Sequence, residues 1–139
     1  MGVILDTSVL IAAERGALSM SRLLEDQADA AVSLAAITIS ELLQGSLRTS
    51  RADLRMRRAA FADAIASQLP VLSFGVDDAR RHAALWAHLQ QRGEMIGLHD
   101  LLIAATALAG GHAVATLDSA HFSRVPGLTL IDVRPYLTG

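Results

Sequence analysis

The chain contains no cysteine and no lysine, and both absences narrow what it can do. Without thiols there is no disulfide framework and no zinc site built on thiolates, a composition that suits a reducing compartment. Without lysine there is no phosphate-binding loop of the kind used by nucleotide-hydrolysing folds. Long uninterrupted apolar runs are missing too. The apolar segment Leu101 to Leu117 is broken by Gly110-Gly111-His112, which leaves less than a membrane span requires. The first apolar stretch has no flanking basic region and is interrupted by Asp6, so it does not read as a signal peptide. The expectation is one soluble, cytoplasmic domain over residues 1–139, long enough to bury roughly two thirds of its unfolded surface.

The formal net charge of -2 does not mark a nucleic-acid binder, but net charge conceals distribution. All 12 residues counted as Lys or Arg are arginine, and Arg48, Arg51, Arg55, Arg57 and Arg58 fall close together. Such a cluster reads equally as a solvated helix face and as a patch that contacts phosphates.

What is present begins with Gly2-Val3-Ile4-Leu5-Asp6-Thr7-Ser8, an apolar run that stops at a carboxylate and two hydroxyls. It reads as a strand buried on both faces, with Asp6 at its carboxyl end, the edge where open parallel sheets bind ligands. Short helices follow over Ser8 to Ala13, stopped by Gly16, and over Leu18 to Gln27. Ala31 to Ala36 is a second strand. Thr38-Ile39-Ser40-Glu41 fits a capping box, and Ser50-Arg51-Ala52-Asp53 opens another helix of about four to five turns that ends at Pro70. Val71 to Phe74 is a third strand, after which Asp77 and Asp78 lead a long amphipathic helix to Gly93. Leu98 to Ala109 is a helix apolar nearly all round, and Ala113 to Thr116 and Leu128 to Val133 are the last strands. Short strands alternating with helices indicate an α/β domain whose mostly parallel sheet is covered on both faces.

Four carboxylates stand out. Asp6 could cap the helix after its strand, Glu41 could belong to the capping box, and Asp118, two residues past a strand, could form a turn. Asp100 resists such an explanation, because it is the only charged residue between Gly97 and Leu117 and lies on the most apolar helix. A buried carboxylate must be paired, hydrogen-bonded or metal-bound, and the helix dipole contributes only about 0.3–1 kcal/mol. Carboxylates that share a cleft repel by several kcal/mol per pair at about 4 Å. Such a cluster persists by taking up protons, pairing with arginine or binding a divalent cation. Oxygen donors without His or Cys suit Mg²⁺ or Mn²⁺, and Mg²⁺ accepts phosphate oxygens, which points to phosphoryl chemistry.

Taken in order, Val3-Ile4-Leu5-Asp6-Thr7-Ser8, Thr38-Ile39-Ser40-Glu41-Leu42-Leu43-Gln44-Gly45, the stretch Gly97 to Ala107, and Ala115-Thr116-Leu117-Asp118-Ser119-Ala120-His121-Phe122 resemble the successive motifs of PIN-domain nucleases. The size and the ending Phe122-Ser123-Arg124-Val125-Pro126-Gly127-Leu128 are similar to the VapC-type toxins of toxin-antitoxin pairs. The resemblance implies a PIN-like five-stranded sheet in the order 3-2-1-4-5, with the strand of Asp6 central, and a metal-dependent ribonuclease. It implies Asp6, Asp100 and Asp118 as direct or water-mediated ligands of Mg²⁺ or Mn²⁺, Glu41 as the fourth acid, and Ser8 and Thr116 as their supports. A metal-activated water would attack the phosphodiester in line and leave 5′-phosphate and 3′-hydroxyl ends. An RNA substrate, a small antitoxin partner and a homodimer are implied likewise, with Arg48, Arg51, Arg55 and Arg58 as candidates for contact with RNA or antitoxin.

Many such nucleases carry a further acid where this chain has His121, which could contact substrate but reads more readily as a surface histidine in a loop. His99 adjoins Asp100 but points about 100° away on a helix, so it is not expected as a co-ligand. Trp86 fits a dimer or antitoxin interface and a partly buried core position equally. Other functions compete. Aspartyl-phosphate phosphatases and receiver domains also keep an Asp at the end of the first strand, but they call for a lysine, and the phosphatase pattern wants an acid where Ser8 stands. A housekeeping PIN nuclease without an antitoxin, or an inactive PIN-like module whose acids hold a partner's arginines, would carry the same motifs.

Overall fold

Val3, Ile4 and Leu5 are buried on both sides because their strand, β1 (Val3–Leu5), lies in the middle of a five-stranded sheet. Successive side chains of a strand point to opposite faces. Val3 and Leu5 accordingly enter one apolar cluster and Ile4 enters the other, which is why the run shows no polar alternation. A computed structural model describes all 139 residues. After β1 come α1 (Thr7–Glu14), α2 (Met20–Asp26), β2 (Val32–Ala35), α3 (Ala36–Leu47), α4 (Ala52–Gln68), β3 (Val71–Leu72) and α5 (Val76–Arg92). The chain continues through α6 (Leu98–Gly110), β4 (Ala113–Thr116), α7 (Ser119–Phe122) and β5 (Leu130–Asp132) to a 3-10 turn at Arg134–Tyr136.

All strand pairings are parallel, and the order is β3-β2-β1-β4-β5, as the resemblance implied. The register sets Leu5 beside Ala115, so Asp6 and Thr116 leave the sheet side by side. One face is covered by residues such as Val9, Leu10, Leu23, Leu42 and Ile65, the other by Leu85, Leu89, Leu101, Ile103 and Phe122. Burying each of these larger side chains stabilises the fold by about 1.5–3 kcal/mol. The apolar character of α6 has the expected cause, with Leu101, Ile103, Ala104, Ala105 and Ala107 all buried. Its one buried hydroxyl, on Thr106, donates to the Leu102 carbonyl at 2.8 Å. No helix is long and apolar enough to cross a membrane.

Three local expectations fail. β3 stops at Leu72, since it is an edge strand and Ser73 and Phe74 are exposed beyond its only neighbour. The capping box at Thr38 does not form, because α3 already begins at Ala36. The short helix α7 stands where a loop was read, after Asp118.

At the pole opposite Asp6, the His112 ring lies between two glycines. A Cβ on Gly2 would sit 2.4 Å from His112 Nδ1, and one on Gly110 2.6 Å from its Cδ2 and Nε2. The ring cannot yield to one methyl without meeting the other glycine. Gly45, inside α3, has open space around it. Gly110→Ala is therefore expected to lower stability by about 1–3 kcal/mol, as overpacking does. Gly45→Ala should raise it by about 0.5–1 kcal/mol through helix propensity. Urea denaturation of both variants checks the pair, and equal effects would contradict this packing.

Candidate active site

The parallel strands send their carboxyl ends to one edge, and the four acids meet there. Asp6 follows β1, Asp118 follows β4, Glu41 lies in the second turn of α3 and Asp100 in the first turn of α6. Asp6 is only 3% exposed and stands at the N-cap position of α1, yet its side chain does not cap that helix. Its Oδ2 instead accepts hydrogen bonds from Ser8 Oγ at 2.7 Å and Thr116 Oγ1 at 2.9 Å. The same hydroxyls accept in turn: Leu117 N–H donates to Ser8 Oγ at 3.2 Å and Asp118 N–H to Thr116 Oγ1 at 2.8 Å. Ser8 and Thr116 thus tie the end of β1 to the end of β4 and set the backbone that carries Asp118. Burial pushes the Asp6 carboxyl above its ordinary range, against the pull of these donors.

Glu41 is held from two sides. Thr7 Oγ1 donates to Oε1 at 2.7 Å, and His99 Nδ1 lies 3.1 Å from Oε2. The Thr38 hydroxyl, freed from capping, is buried 3.1 Å from Thr7 Oγ1. His99 therefore reaches Glu41 rather than Asp100, and its direction on the helix accounts for that. Asp118 has its own partner, His121 Nδ1, 2.6 Å from Oδ2. His121 is exposed, but it is not a bystander.

Asp100 is half-buried and receives neither a side-chain hydrogen bond nor an ion pair. Loss of hydration lifts its carboxyl to about 6, the repulsion of Asp6, Asp118 and Glu41 adds to this, and His121 opposes it. No arginine relieves the group, since none of the ion pairs joins an arginine to any of the four acids. Of the three outlets open to such a cluster, protons and a cation remain. Four carboxylate donors of this kind fit a hard divalent ion.

The arginine cluster divides. Arg48 and Arg58 line a cleft of about 270 Å³ between α1, α3 and α4 that also includes Thr7, Glu41 and His99. Arg58 Nη1 donates to the Gly45 carbonyl at 3.2 Å. Arg51 pairs with Asp53 at 2.8 Å on the surface. Arg55 is spent on the α3–α4 turn, donating to the carbonyls of Thr49 at 2.6 Å and Leu47 at 3.2 Å. Trp86 is 49% exposed, so it is not a core residue.

This combination of sheet order and clustered acids is a nuclease-like architecture, and the comparisons identify its family. The PIN-domain model matches residues 3–128, and the chain belongs to that family. It is 35% identical over 133 residues to Ribonuclease VapC1 of Rickettsia felis, covering 96% of this chain and 97% of that one. Among solved structures it is similar to VapBC2 of Rickettsia felis bound to a promoter DNA fragment, with a TM-score of 0.85, 26% identity, and 94% and 98% of the two chains covered. It is also similar to VapBC-5 of Mycobacterium tuberculosis, a member of the VapBC family of toxin-antitoxin systems, with a TM-score of 0.74, 30% identity, and 96% and 99% covered.

Sequence reasoning missed Thr7 and set aside His99 and His121. The Thr7–Glu41 bond joins residues 34 apart and becomes visible only when α1 packs on α3. His121 had a signal, its three-residue spacing from Asp118, which puts the two on one helical face.

The raised Asp100 carboxyl makes a prediction about stability. Between pH 4 and 7 the folded protein holds this proton more firmly than the unfolded chain does, so its contribution, with no cation bound, falls as pH rises through about 6. Asp100→Asn removes that loss. In EDTA, urea denaturation should find the variant and wild type nearly equally stable at pH 4, with the variant gaining steadily to pH 7. A difference independent of pH would exclude the shift.

Proposed function

We propose that the chain is an endoribonuclease, the toxin of a toxin-antitoxin pair, and that its activity depends on Mg²⁺ or Mn²⁺. The observation that carries this reading is the carboxylate cluster at the sheet edge, to which no arginine is paired and in which Asp100 has no partner. The ribonuclease and antitoxin parts rest on the relatives' names and on the extent of the likeness.

In this reading Asp6, Asp100 and Asp118 hold the cation and Glu41 completes the set. The ion, when bound, supplies a Lewis acid for the phosphodiester and a more acidic water. Ser8 and Thr116 keep the Asp6 carboxylate turned toward the site through its Oδ2. Thr7 fixes Glu41 through Oε1, so that its carboxylate is positioned before substrate arrives. The exposed floor of the cleft near Arg48 and Arg58 offers cationic donors to a phosphate backbone or to acidic groups of an antitoxin.

The decisive test is cleavage of RNA by wild type and Asp100→Asn with Mg²⁺, with Mn²⁺ and in EDTA, followed by end mapping. The expected outcome is cation-dependent cleavage leaving 5′-phosphate and 3′-hydroxyl ends, reduced at least about a hundredfold in the variant. Cleavage that survives EDTA would end the metal-dependent reading.

The arginines should separate into two groups by measurement. Arg48→Ala should weaken binding of RNA or antitoxin with the melting temperature nearly unchanged. Arg55→Ala should cost about 1 kcal/mol of stability, because two helix-end carbonyls lose their donor. The reverse pattern in binding and melting assays would reassign the cluster.

A further inference from the structure

Two imidazoles accompany the acids of this site, His99 beside Glu41 and His121 beside Asp118. Asp100, Asp118 and His121 each offer a ligand atom, and these atoms all lie within 4.8 Å of one another. Donor atoms around an octahedral cation of Mg²⁺ or Mn²⁺ size are about 3 Å apart when adjacent and about 4 Å when opposite. The three side chains therefore need only a small inward rotation to share one ion. His121 Nδ1 now lies 2.6 Å from Asp118 Oδ2, a hydrogen-bond distance, so a shared ion would take the place of the proton between them. The position of His121 is fixed from below: Phe122 is fully buried and Val125 nearly so, both packed in the second apolar cluster, which holds α7 against the sheet edge.

From this we propose that His121 is a ligand of the cation, through an imidazole nitrogen, and that the site therefore prefers Mn²⁺ to Mg²⁺. The inference rests on the cation-binding reading above and deepens it. Imidazole is a borderline donor that suits transition ions, whereas Mg²⁺ gives up its waters reluctantly and favours sites built of oxygen alone. Adding one imidazole to the carboxylates of the site discriminates where four carboxylates alone would not. His99 does not fill this role: its Nδ1 lies beside Glu41, outside the group of donor atoms formed by Asp100, Asp118 and His121.

The test uses Mn²⁺ as its own reporter. Titration of the protein with Mn²⁺ followed by electron paramagnetic resonance counts bound ion, and pulsed measurement of the loaded protein reads directly coordinated ¹⁴N. The expected result is stoichiometric binding with ¹⁴N modulation in wild type, and its loss in both His121→Asp and His121→Ala. Competition with Mg²⁺ should show the Mn²⁺-to-Mg²⁺ affinity ratio falling about tenfold or more in His121→Asp. Bound Mn²⁺ without ¹⁴N modulation, or modulation that survives in the His121 variants, overturns the ligand role and leaves the acidic site standing. Failure of wild type to bind Mn²⁺ at all overturns both this inference and the cation-dependent reading on which it rests.

Discussion

Four carboxylates gathered at one edge of a sheet, with no basic side chain other than histidine paired to them, set the condition that the rest of this structure must meet. Two like charges about 4 Å apart repel by about 4 kcal/mol at an effective dielectric near 20, so crowding of this kind opposes the folded state. A domain's net stability is only about 5–15 kcal/mol, so the arrangement exists because two apolar clusters, one on each face of the sheet, outweigh it. The clusters lie along the strands and the acids at their ends. Asp6, only 3% exposed, lies where the two meet.

The acids differ in how firmly they are held. Asp6 has two hydroxyl donors, Glu41 a hydroxyl and an imidazole, and Asp118 an imidazole. Asp100 has none, and it is the group whose carboxyl rises to about 6. Burial and the neighbouring acids raise it, and no donor opposes them, so Asp100 is left to take up a proton or meet a cation. Proton and cation thus compete for Asp100, and the absence of lysine keeps an ammonium group from entering that competition.

Much of this was legible in the chain itself. The run from Val3 to Leu5 announced a central buried strand because a strand covered on both faces needs no polar alternation, and the isolated charge on α6 marked Asp100, the carboxylate left without a donor. The capping explanations for Asp6 and Glu41 were sound local physics overruled by distant partners. Thr116 arrives from a strand 110 residues away to take the Asp6 carboxylate, and Thr7 takes Glu41 across 34 residues. Hydroxyl partnerships of that range have no periodicity to betray them. The arginine cluster divides for a related reason, since Arg55 bonds to the α3–α4 turn while Arg48 opens onto the cleft.

What keeps the acids from drifting apart is the anchoring of the elements that bear them. Asp100 precedes Leu101, Ile103, Ala104 and Ala105 in a helix whose interior faces are fully packed, so its position cannot relax without moving the core. Asp118 and His121 ride on a single turn pinned by Phe122, and Asp6 is locked between two strand ends. A flexible assembly of the same residues would turn its carboxylates outward into water and lose nothing. Rigidity is what keeps the repulsion in place, because a site that cannot relax recovers the cost of its own crowding only when positive charge, a proton or a cation, enters it.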